Sequence, residues 1–430
     1  MISLTKRLLI LLSLALPTAA VQANDIAITG GTVHTMGEAG TLENATVLIR
    51  DGQIVAVGND VDVPADAERI DATGKVVTPG IIDANGQMGL DEISGVDQSV
   101  DSANSNRRFT AAFNVTDAIN PRSMVIPVNR IEGITRAVVA PTHGSGGTLI
   151  AGQGAIIDLM HPSDFITLSP AAMYASLGET GARLSGGSRA GAILALREAL
   201  QDGRDFSSNQ DAFERRERRD YALGRLDLEA LQPVLRGEMP LVLAVHRASD
   251  IRSALRLAND FELQLVISGG AEAWLVADEL AAANVPVLLD PLQNLPNRFE
   301  TLDSTLENAS RLHAAGVRFA FSSGDSHNAR NITQAAGNAV AHGLEWEVAL
   351  AAITSAPADI WGIADRSGRL ESGLEADLVI WDGDPLEVTS YAEQVFIRGM
   401  SVPMESRHTL LRDRYMDLDA LDLPPAFRGN

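Results

Sequence analysis

Between residues 26 and 77, short apolar runs rich in β-branched residues alternate with turn residues, which predicts strands over 26–29, 46–49 and 54–57. Asp51-Gly52, set between Val47-Leu48-Ile49 and Ile54-Val55-Ala56, predicts a two-residue hairpin. Near the other end, residues 376–381 and 394–397 read as two more strands, separated by Asp382-Gly383-Asp384-Pro385. In the long middle the pattern changes. Runs that are apolar at nearly every position occur at 76–82, 134–140, 241–245, 263–267, 285–289 and 317–321. Helical stretches at 251–259, 271–283 and 302–315 separate the later ones. Such runs joined by amphipathic helices predict a parallel sheet buried on both faces. A span of roughly 290 residues suits an eight-stranded barrel. The two strands still missing must lie within 154–176, while 189–235 reads as helices with a solvated charge run at 214–220.

The first 23 residues stand apart from this pattern. Lys6 and Arg7 precede an apolar run over 8–16, and Val21-Gln22-Ala23 supplies small residues at a cleavage spacing. This is the pattern of a secretory leader cut after Ala23, and the run is about half the roughly 20 residues a spanning helix needs. The expected product is a periplasmic or secreted protein with no membrane span in the mature chain.

Composition narrows the chemistry. The 430 residues are 45% hydrophobic and carry a formal net charge of −22. Removal of Lys6 and Arg7 with the leader leaves 32 basic against 56 acidic residues, a net of −24. A chain this acidic, with only 4% aromatic residues, is not built to hold a nucleic-acid backbone. Cysteine is absent, which excludes disulfides, thiolate metal sites and thiol nucleophiles. Lys75 is the only lysine of the mature chain.

Four segments, in order, resemble the amidohydrolase superfamily, most closely its imidazolonepropionase-like branch. They are Ile28-Thr29-Gly30-Gly31-Thr32-Val33, Ile49-Arg50-Asp51-Gly52-Gln53-Ile54, Val77-Thr78-Pro79-Gly80-Ile81-Ile82-Asp83 and Gly373-Leu374-Glu375-Ala376-Asp377-Leu378-Val379-Ile380-Trp381. The resemblance implies an α/β fold: a TIM-like (β/α)8 barrel over 77–370, with a small β-sandwich formed by 24–76 and 371–430. It also implies hydrolysis of carbon–nitrogen bonds in amides or cyclic amides, assisted by a divalent ion that acidifies bound water.

Carried over residue by residue, the family's metal positions are only partly filled. Its first barrel strand ends in His-x-His, where this chain has Asn85 and Gln87, neutral amides that hydrogen-bond well but ligate zinc poorly. No lysine is placed to bridge two ions, and the sixth strand ends in Ser268-Gly269-Gly270 without a histidine. His246, after the fifth strand, and Asp325, after the eighth, occupy matching positions. Asp325 would hold metal and take the proton from water; His246 would be a ligand or a helix cap. His143 and His327 are the further candidate ligands, each also readable as a loop hydrogen-bonder. Glu92 and Glu179 bring carboxylates toward the same face as substrate contacts or helix-start acids. Two outcomes follow: a hydrolase with a reduced or atypical zinc-like site, or a barrel without metal that binds a small molecule or peptide through Asn85 and Gln87.

Overall fold

The computed structural model describes residues 25–160, 163–215, 217 and 219–416. The leader segment and the last 14 residues lie outside this range. Among the described residues no helix is long and apolar enough to cross a membrane.

Strands from both chain ends form one mixed sheet. Its seam pairs Val76–Pro79 antiparallel with Leu378–Trp381, and Ile26–His34, Thr41–Arg50 and Gln53–Gly58 continue it on one side. The predicted hairpin is present: Arg50 faces Gln53, with φ of 49° at Asp51 and 82° at Gly52. That conformation suits a type I′ turn.

The second sheet is the barrel, with strands in chain order β1 (Ile81–Gly86), β2 (Ile134–Val139), β3 (Ile150–Asp158), β4 (Ile166–Ser176), β5 (Leu241–Val245), β6 (Leu265–Gly269), β7 (Val287–Leu289) and β8 (Phe319–Phe321). The apolar run at 76–82 therefore divides between two sheets, and the chain crosses from one to the other at Gly80. A Cβ there would lie 2.2 Å from Thr135 Oγ1, so no larger residue fits the crossing. The expectation of an all-parallel barrel fails at β3, which pairs antiparallel with both β2 and β4. The seven residues 159–165 between β3 and β4 are too few for a crossover helix, so they turn the chain back as a hairpin. From β4 to β8 the strands are parallel, as is β1 with β2.

The seam between β8 and β1 is bridged by Ala352–Ile353: Phe321 N donates to Ala352 O at 2.9 Å and Ile82 N to Ile353 O at 2.9 Å. Inside the barrel, Ile82, Val138, Ile156, Ala172, Tyr174, Val242, Val266, Leu288 and Ala320 form one buried cluster. A larger cluster lies between the strands and the surrounding helices, among them Arg189–Ser208 and Ala248–Phe261.

Candidate active site

The period of two along a strand carries the inner face upward from the packed interior to the strand ends. Tyr174 and Val242 belong to the interior cluster. Ser176, on β4, and His246, just past β5, continue that face at the barrel mouth. Ser176 pairs in register with Ala244, so His246 sits two residues further along the adjoining strand.

His246 lies across the end of β6. A Cβ on Gly269 would stand 2.5 Å from His246 Cε1, so the ring needs the glycine, whose φ of 95° a larger residue rarely adopts. His246 Nδ1 is buried without a hydrogen-bond partner. Burial, helped by the positive charge of Arg298 and opposed by Glu179, pulls its pKa down to about 4, so the ring is neutral at pH 7.

Around β1 the polar groups crowd together. Asn85 donates weakly from Nδ2 to Ser268 Oγ at 3.5 Å, and its carbonyl accepts from Ser322 Oγ at 2.6 Å, stitching β1, β6 and β8 at the mouth. Asn85 Oδ1 is buried and unpartnered. Asp83 is fully buried, with Oδ2 unpartnered. Burial pushes its pKa up to about 7, against the backbone N–H groups of Asn85 and Ser323, while Asp325 adds to the rise. The hydroxyl of Tyr174 is also buried and unpartnered, and burial together with the Asp83 charge raises its pKa. Gln87 lies just past β1, partly exposed, and its backbone carbonyl accepts from Leu90 and Asp91 in a turn.

The remaining candidates are occupied. Asp325 Oδ1 accepts from the backbone of His327 at 2.7 Å and of Asn328 at 3.1 Å, and Oδ2 accepts from Asn328 Nδ2 at 3.1 Å. Burial raises its pKa, but these bonds outweigh burial and hold it below the usual carboxylate range. His327 Nε2 bonds the Glu92 carbonyl at 2.7 Å. The Glu92 carboxylate accepts from Asn120 Nδ2 and Met124 N, which ties two loops rather than facing the mouth. Glu179 stands 3.6 Å from Arg189, and its backbone N–H donates to Glu300 at 2.6 Å. Both nitrogens of His143 are engaged, Nδ1 with the Thr148 carbonyl at 2.9 Å and Nε2 with Ser176 Oγ at 2.6 Å.

Among the described residues no three histidine, aspartate or glutamate side chains converge as a metal-holding group. Among these candidates His246 has a buried ring nitrogen without a partner among the described residues. Catalytic zinc usually takes three protein ligands. The donor set therefore does not fit a paired-metal centre. What the structure brings together instead is Asp83, Asn85, Tyr174, His143, Ser176 and His246. Tyr174 and Ser176 are the residues that strand patterning missed. Their signal was the two-residue spacing at the end of β4, legible only once that strand's limits were known.

The sequence profile of the amidohydrolase family matches residues 253–407. The amidohydrolase tasK of Hapsidospora irregularis is 27% identical over 387 residues, which is 82% of this chain and 39% of that relative. An imidazolonepropionase of Geobacillus kaustophilus (strain HTA426) is 51% identical over 55 residues, 11% of this chain and 13% of that one. The chain thus spans well under two thirds of the length of either curated relative. Among solved structures, an amidohydrolase from Thermotoga maritima MSB8 superposes with a TM-score of 0.79 at 29% identity, covering 88% of this chain and 99% of that one.

Proposed function

We propose that this chain, which is similar to amidohydrolases, is an exported hydrolase of that superfamily, working at the barrel mouth. It cleaves a carbon–nitrogen bond, other than a peptide bond, in an amide or cyclic amide. One observation carries this reading: Asp83 Oδ2, Asn85 Oδ1, Tyr174 Oη and His246 Nδ1 are all buried and without a partner among the described residues. Each orphaned group costs on the order of 1–3 kcal/mol. A polar ligand in the mouth recovers part of that cost. An amide suits this set because it offers an N–H to acceptors such as Asn85 Oδ1 and a carbonyl to donors such as the Tyr174 hydroxyl. The site is atypical for the superfamily, since Asn85 and Gln87 replace histidines. On the same reading the terminal sheet is the superfamily's small β-sandwich, and residues 1–23 direct the chain to the periplasm.

A second reading, a barrel that binds a small molecule or peptide without turning it over, is favoured by those same two amides. A panel of amides, lactams and cyclic imides separates the two when hydrolysis and ligand-induced thermal shift are measured on the same mature protein. Saturable hydrolysis that Asn85→Ala weakens supports the enzyme. Thermal stabilisation without product selects the binding protein, and neither response rejects both.

A further inference from the structure

Ser176 and His143 come from separate parts of the chain and meet at the mouth. His143 is held by a short parallel ladder, Thr142–His143 beside Ala103–Asn104, while Ser176 ends β4. The Thr148 carbonyl can only accept, so the His143 Nδ1 that lies 2.9 Å from it carries the ring proton. Nε2 of the neutral ring is then a lone-pair acceptor, and it stands 2.6 Å from Ser176 Oγ. A hydroxyl bonded to an imidazole that a third group orients is the arrangement that activates a serine. We propose that Ser176 is a nucleophile, His143 its general base and the Thr148 carbonyl the positioning group, forming a metal-independent acyl-transfer site. The substrate class is the amide or lactam of the proposed function, on which this inference rests.

In the first half-reaction Ser176 Oγ attacks the carbonyl carbon and its proton passes to His143 Nε2. The C–N bond then breaks, and the departing nitrogen takes that proton, leaving an ester on Ser176. Water attacks the ester, gives its proton to Nε2, and the acid leaves as Oγ recovers a hydrogen. The sum is amide plus water to acid plus amine. Burial, countered by the Thr148 bond and aided by Arg183, holds the His143 pKa below its ordinary value, which keeps the base unprotonated near neutral pH.

The test needs no natural substrate. The mature protein is treated with a fluorophosphonate, and adducts are located by intact-mass and peptide mass spectrometry. One adduct is expected, at Ser176, absent in Ser176→Ala and formed about 100-fold more slowly in His143→Gln, the typical weight of a general base. The wild-type labelling rate should fall as pH drops, and His143→Gln should lose that dependence, which a merely structural bond would not produce. Because Ser176 is only 4% exposed, Ser176→Cys treated with iodoacetamide reports access, and alkylation is expected. Folded wild type that takes no adduct, or takes it elsewhere, overturns the proposal whether or not Ser176→Cys is alkylated. If amide turnover persists without an adduct, the hydrolase reading survives and the serine mechanism falls. An adduct at Ser176 without turnover of any amide or lactam keeps the nucleophile and rejects the substrate class.

Discussion

Two buried polar regions of this molecule are built on opposite principles. Where the barrel meets the terminal sheet, Arg136 is 0% exposed, yet each of its side-chain nitrogens has a partner. Its Nε donates to Asp377 at 2.7 Å, its Nη1 to Thr167 at 2.7 Å, and its Nη2 pairs with Glu375. Asp377 also accepts from Ser367 Oγ and Arg398 N, and Glu375 from Arg366. At the barrel mouth, by contrast, four buried polar atoms have no partner among the described residues. A buried charge network that is fully satisfied fixes one arrangement of two sheets. A partly satisfied one carries a standing cost that an ordered water, a ligand or a reacting group relieves. The difference teaches where to look for function: not where charges are most buried, but where burial was left uncompensated.

The comparison breaks first at Arg136. Arg136→Ala leaves Asp377 and Glu375 without their shared cation, and should lower stability by about 3–5 kcal/mol in urea denaturation. A loss under about 1 kcal/mol would mean the network adds little to the joint between the sheets.

Asp83 sharpens the other side through pH. Its pKa of about 7 in the folded chain lies above the ordinary 3.8. The stability it contributes is therefore fully present below the unfolded pKa and is lost as pH rises through about 7. Asp83→Asn should flatten that part of the stability profile, measured by denaturation from pH 4 to 8. His246 runs the other way. With its pKa pulled down to about 4 from 6.5, it withdraws stability as pH falls through that window, and His246→Gln should remove this acid limb.

Smaller effects separate capping from orphaned groups. Asp325→Ala removes three hydrogen bonds that hold residues 325–328 and should cost about 1 kcal/mol, as loss of a capping side chain does. Tyr174→Phe deletes a hydroxyl that has no partner, so stability should hold or rise by up to about 1 kcal/mol. A loss of 2 kcal/mol or more in thermal or urea melts would contradict the reading of Tyr174 as uncompensated.

Much of the architecture was legible in the residue pattern. The Asp51-Gly52 hairpin, the run from Leu241 to Val245 and the helix around 251–259 all follow from spacing and turn chemistry, which act over a few residues. The β3–β4 hairpin was hidden because Ile150–Asp158 and Ile166–Ser176 are apolar without a helix between them, and periodicity alone does not give strand direction. For the site, the motif around Asp83 pointed to the first strand, and His246 and Asp325 to the fifth and eighth. That Asp325 spends its oxygens on Asn328 and His327 is a matter of loop geometry, which no spacing rule reports.

Sequence by itself determined most of the elements and set the amides Asn85 and Gln87 at the end of the first barrel strand, because propensity, patterning and side-chain chemistry are local properties. Tertiary structure alone decided which polar groups find partners. His143 reaches Ser176 across 33 positions, and Arg136 reaches Asp377 across 241. Whether a buried atom is satisfied or orphaned depends on such long-range contacts, and in this chain that distinction separates Arg136 from the polar atoms of the mouth.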